Sequence, residues 1–225
     1  MPFLQRTESV TRSAIGSCPD ICVSLATQTV LSLEGYILAR VTVVDYGGDI
    51  LLDTLVIPRS RVIDYCAERT GFNESHFIAG GKIRSRISIS RSSENLPGHI
   101  LGFEITRQRV AQHLRGKVVV GHRLWVSLDA LRLSHPADKT RDLATYFPLL
   151  AALPSSSDQD LQDGFPILVQ EFMHRTIRKG FENSVEDARA AMDLYRSCRD
   201  NWEHLIAASF WPSLTPPREF FQCYT

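Results

Sequence analysis

The sequence predicts an α/β domain in which a central mixed sheet is flanked by helices, three layers in all. Three observations carry this. Two β-branched runs, 36–45 and 50–57, meet at Tyr46-Gly47-Gly48-Asp49, a turn signal, and so read as a hairpin. Strands then alternate with helical patterns through the second half of the chain. The 225 residues, 44% of them hydrophobic, suffice for one such domain with a full core.

The elements follow in order. The apolar run 21–25 is short enough for a buried strand beside the hairpin. Residues 60–69 are expected to form a short helix with Ser60 as its N-cap. Residues 80–98, rich in Ser, Arg and Gly, read as a loop, and 103–114 place apolar residues at helical spacing before Gly116. A β-branched strand over 117–120 closes at Gly121, and a helix over 124–133 stops before Pro136. The polar stretch 154–164 is a linker, and the last helices span 166–178 and 184–208. Pro212, Pro216 and Pro217 then hold the chain extended. The expected organisation is a tail over 1–18, a domain over 19–208 with a basic insertion at about 78–98, and an aromatic, Pro-rich tail over 209–225. No internal repeat is visible.

Composition narrows the partners. The formal net charge is +0, so there is no global pull towards polyanions, and any nucleic-acid contact must come from a local patch. No apolar stretch is long enough to span a bilayer, and residues 1–11 lack the basic-then-apolar pattern of a secretory signal. Cys18, Cys22, Cys66, Cys198 and Cys223 are odd in number and scattered, which suits reduced thiols in an intracellular compartment. Cys18 and Cys22 could begin a zinc site, but no second Cys/His pair stands at matching spacing.

The most specific segment is Asn183-Ser-Val-Glu-Asp187-Ala-Arg-Ala-Ala-Met192-Asp-Leu-Tyr195. It resembles the third motif, H-S-S-V-E-D-A-R-A-A-M-x-L-Y, of the DEDDh-type 3′→5′ RNA exonucleases, in the branch that includes the interferon-stimulated and ribosomal-RNA-processing enzymes. Val119-Val-Gly-His122-x-Leu-x-x-Ser127-Leu-x-x-Leu131 is similar to the second motif, V-G-H-x-L-x-x-D-L-x-x-L. His135-Pro136, Arg141-Asp142, the strand Ala39–Val44 and Val62-Ile-Asp64-Tyr65 follow the family's order, and Val23–Val30 falls where its first motif stands. The resemblance covers about 21–202 and implies a ribonuclease H-like fold with a nuclear location.

It also implies a chemistry that this chain is poorly equipped to perform. Such enzymes hold two Mg²⁺ or Mn²⁺ ions about 4 Å apart, with carboxylates offsetting the mutual repulsion and a histidine taking the proton from water. By position, the four acids and the base become Ala26, Gln28, Ser127, Asp187 and Glu182. Only Asp187 remains at an acidic position. Losing three anionic ligands removes three close opposite charges from each prospective cation. The resemblance therefore identifies a degenerate member, a pseudo-exonuclease binding no metal and acting as a scaffold for a protein partner or a second copy. The competing readings are a weakly active exonuclease using Asp187 and Glu182, and a nucleic-acid-binding module without catalysis. Thr27 and Thr29 have drifted too, which favours natural divergence over deliberate inactivation.

Plainer roles stand beside these. Asp187 could serve only as a capping-box partner of Ser184 at a helix start. His122 reads as a structural histidine, and with Ser127 it lacks any nucleophile-elbow pattern. Asp142 could point into the old cleft. Lys82, Arg84, Arg86 and Arg91 form the one concentrated basic segment, suited to phosphates or to solvent, with weak RNA binding the most it would support. Trp211, Phe220, Phe221 and Tyr224 are expected either to dock on a partner or to fold back on the domain.

Overall fold

The structure, a computed structural model, describes residues 21–78, 99–151, 153 and 160–225. Its sheet has the order β5 (Ile100–Leu101), β3 (Ile50–Val56), β2 (Gly35–Asp45), β1 (Cys22–Ser32), β6 (Val118–Gly121), β7 (Thr140–Asp142). Strands β1, β2 and β3 are antiparallel neighbours, whereas β6 runs parallel to β1 and β7 to β6. The mixed sheet and the early hairpin are those expected from the sequence. Adjacent residues face opposite layers, as the strand period of two requires. Val23 and Val119 join a core with Val110 of α2 (Phe103–Leu114) and Leu128 of α3 (Leu124–Leu131). Cys22 and Val120 join a second core with Phe165 of α5 (Asp160–Met173) and Ala191 of α6 (Ser184–Ala207).

β1 runs seven residues past the apolar stretch that announced it. The polar run Ala26-Thr27-Gln28-Thr29 hides the strand, yet the eleven residues of β2 supply a partner along its length, with Ala26 opposite Thr42 and Gln28 opposite Arg40. On its other edge β1 meets β6 only over Cys22–Ser24. The far end of that edge takes β4 (Val62–Asp64), so the helix expected over 60–69 reduces to α1 (Ala67–Thr70). The β-branched Val62-Ile63 pair suits an open strand edge better than a helix. Between β6 and β4 the middle of this edge has no strand partner among the described residues, and the candidate site lies there.

Two further expectations change. α5 begins inside the stretch read as a linker and ends at Met173, five residues early, where His174 turns left-handed (φ 51). The second change is at the C-terminus, which is part of the domain. Phe147 N–H, at the start of the short helix α4 (Phe147–Leu150), donates to Pro212 O (3.1 Å), and Leu214 N–H donates to Thr145 O (2.9 Å). A 3₁₀ turn, Arg218–Cys223, follows instead of extended chain. His135 N–H then donates to Cys223 O (2.9 Å) and Thr225 N–H to His135 O (3.0 Å). Among the described residues no helix is long and apolar enough to cross a membrane.

Candidate functional site

The fold brings the motif positions together. β1 carries Ala26 and Gln28, α3 carries Ser127, the turn into α6 carries Glu182, and the first turn of α6 carries Asp187. Two hydrogen bonds tie these elements. Thr27 Oγ1 lies 2.9 Å from Ser127 Oγ, and Gln28 Nε2 donates to the Glu182 carbonyl (2.8 Å). Helix α6 starts here because Asn183 caps it, its side-chain oxygen accepting from Val185 N–H (3.0 Å). This corrects the reading of Ser184 as the cap with Asp187 as its partner. The Ser184 hydroxyl instead meets Thr42 Oγ1 of β2 (2.7 Å).

Asp187 is nearly buried, and its partner is a cation that the sequence did not single out. Arg178 grips it as a fork, Nε to Oδ1 and Nη2 to Oδ2, both at 3.0 Å. Arg178 itself sits in a left-handed conformation (φ 57), and its backbone N–H donates to Glu186 Oε2 (2.8 Å). Its guanidinium also lies 3.6 Å from Glu182 Oε1. Burial pushes the Asp187 carboxyl up to about 6, while Arg178 pulls the other way. A bidentate guanidinium engages both oxygens of a carboxylate, and those are the atoms a metal would need.

Each other position is engaged too. The Glu182 carboxylate accepts from Arg69 Nη1 (2.7 Å), and Arg69 Nη2 donates to Thr29 O (2.9 Å), a carbonyl on the unpaired stretch of β1. Gln28 is buried, and its Oε1 faces Ser184 N–H (3.4 Å) and Arg40 Nη1 (3.5 Å). Arg40 in turn forks onto Asp53 of β3 at 2.9 Å twice, and Thr42 Oγ1 donates to Asp53 Oδ1 (2.8 Å). Beneath the site, then, lies a satisfied polar layer of Gln28, Arg40, Thr42, Asp53 and Ser184. Ala26 contributes no ligand atom at all.

His122 is structural, as expected. It is half-buried, stacks on Phe165 with centroids 4.8 Å apart, and is held neutral, its pKa lowered to about 3 by desolvation and by Arg178 and Arg123. Asp142 does not enter the cleft. It accepts from the N–H groups of Arg123 (2.8 Å) and Leu124 (2.6 Å), capping the N-terminus of α3, and from Ala144 N–H (3.0 Å) and the Tyr224 hydroxyl (2.5 Å). A buried carboxylate is stabilised there by the orphan amides of the first helical turn.

Of the aromatic tail residues, Phe220 and Tyr224 turn inward against the core around α3, whereas Trp211 and Phe221 remain about half exposed. The packing favours folding back over free docking for that inward pair. Lys82, Arg84, Arg86 and Arg91 lie outside the described residues.

A mixed sheet between two helical layers, with three motif segments converging on one strand edge, defines an exonuclease-like domain of the ribonuclease H type. Comparison with known proteins places it more closely. The chain is 31% identical over 206 residues to the apoptosis-enhancing nuclease of Pongo abelii, covering 88% of this chain and 56% of that protein. It is 30% identical over 166 residues to RNA exonuclease 4 of Candida glabrata, covering 74% and 54%. Its fold matches the catalytic unit of Neurospora crassa Pan2 (protease and nuclease domain) with a TM-score of 0.61 at 17% identity, over 88% of this chain and 29% of that one. No family model matches. The chain belongs to the DEDDh exonuclease family. It spans about half the length of the curated relatives it matches.

Proposed function

We propose that this chain is a catalytically silent exonuclease-like domain that serves as a protein-interaction scaffold, in keeping with relatives named as nucleases of RNA. The observation that carries the reading is the fork of Arg178 on Asp187. The family's two divalent ions do not fit the residues present. Ala26 offers no donor, the Gln28 amide is held by Glu182 and Ser184, the Ser127 hydroxyl is paired with Thr27, and Arg178 already neutralises the one remaining motif carboxylate. A metal would have to displace a buried ion pair and gain little for it, because hard cations at close spacing need several carboxylates. RNA binding without metal finds weak support in the same place. Among the described residues the guanidinium groups of Arg69 and Arg178 are paired with Glu182 and Asp187, and the Arg178 N–H donates to Glu186, so these two arginines offer phosphates little surplus charge.

Calorimetric titration with Mn²⁺ at pH 7.5 tests this reading. The protein is expected to show no saturable binding, and so is the Ala26→Asp/Gln28→Glu/Ser127→Asp variant, because Arg178 still occupies Asp187. Adding Arg178→Ser to that triple variant is expected to open the site to Mn²⁺. Saturable two-ion binding by the unaltered protein would overturn the proposal. For the scaffold role, proteins retained in affinity purification should persist after ribonuclease treatment. Loss of all of them would favour the nucleic-acid-binding reading.

A further inference from the structure

The C-terminal segment builds a half-open pocket of about 270 Å³ against the outer edge of the sheet, away from the motif positions. Its frame is fixed at both ends by the backbone hydrogen bonds that join Pro212 and Leu214 to 145–147, and Cys223 and Thr225 to His135. The chain between these anchors arches over the end of β7, so the pocket stands ready without rearrangement. Trp211, Leu214 and Phe221 form the walls, each 43–50% exposed, and Pro216 and Tyr224 complete the lining.

The polar atoms of the pocket point to a particular ligand chemistry. Thr140 Oγ1 spends its proton on Pro136 O (2.9 Å), Thr145 Oγ1 on Asp142 O (2.9 Å), and Tyr224 Oη on the Asp142 carboxylate (2.5 Å). All three oxygens keep lone pairs and no free proton, so they can only accept. The one ionisable side chain in the lining besides tyrosine is the Asp142 carboxylate, which disfavours an anion. The volume falls just below that of pockets for drug-sized molecules.

From these features we infer that the tail pocket is a binding site for a small, non-anionic aromatic molecule of one or two rings carrying an N–H or O–H donor. Rings would cover the exposed faces of Trp211 and Phe221, and the donor would reach the acceptor-only floor. The site owes nothing to the cleft, and it holds whether or not the domain is catalytic.

Indole and 2-naphthol serve as probes, with 2-naphthoate as the anionic control. Binding to the full chain is followed by ligand-observed NMR. One-to-one saturable binding of a donor probe is expected, with 2-naphthoate much weaker. Trp211→Ala should weaken it roughly tenfold through loss of ring contact. Leu214→Trp, which fills the mouth, should abolish binding while leaving the melting temperature intact, and this separates occlusion from misfolding. Absence of saturable binding by both donor probes, equal binding of the anion, or indifference to Leu214→Trp would each overturn the assignment.

Discussion

Arg178 pairs with Asp187 in the cleft, and the effect of that pairing should be visible in pH dependence. Asp187 has a folded pKa of about 6, above its ordinary 3.8, so its protonation favours the fold. That contribution is fully present below about pH 4 and is lost as the pH rises through 6. Removing Arg178 takes away the cation that restrains this rise. Arg178→Met is therefore expected to destabilise by roughly 3–5 kcal/mol near pH 7.5, as for a broken buried pair, and by clearly less at pH 5. Thermal melts at the two pH values check this, and an equal deficit at both would contradict it. At the same scale, Arg40→Met strands Asp53 between β2 and β3 and should cost a similar ~3–5 kcal/mol. Urea unfolding with an unchanged slope measures it. The motif positions themselves were legible from residue type and spacing. Arg178 was not, because a lone arginine nine residues before Asp187 has no periodicity, and only the left-handed turn at 178 aims it.

The elements repeat this division. Helix α2 falls on the expected boundaries because its apolar spacing reports one buried face, and the β2–β3 hairpin because Gly47-Gly48 marks its turn. The sequence misled where tertiary partners overrule local pattern. β1 continues through polar residues because β2 pairs with it from Val23 to Ser32, and β4 forms because β6 leaves an edge open. The clearest test at this scale is the start of α3. Asp142 caps it, and the Tyr224 hydroxyl helps keep that carboxylate ionised although burial pushes it up to about 6. Tyr224→Phe should cost about 1.5–3 kcal/mol at pH 7.5, as for a hydrogen bond to a charged group. Without its donor the folded pKa rises further, so the loss should shrink below pH 5. Melting temperature against pH gives the answer, and a deficit that grows on acidification would refute the cap.

For the molecule as a whole, family and fold were readable from three motifs, whereas the tail's place was not, since aromatic residues among prolines suit a partner's surface and the chain's own equally well. Ending the chain after Phe210 exposes the core around α3 and should lower the melting temperature on the order of 10 °C, given ~2–4 °C per kcal/mol for a domain of this size. The proposed silence of the cleft, in which Arg178 and neutral side chains stand where charge-matched cations would be needed, is checked by incubating the purified chain with 5′-labelled single-stranded RNA and Mn²⁺ at pH 7.5, and resolving the products by length. Full-length RNA is expected throughout. Stepwise shortening from the 3′ end that disappears in Asp187→Ala would contradict it.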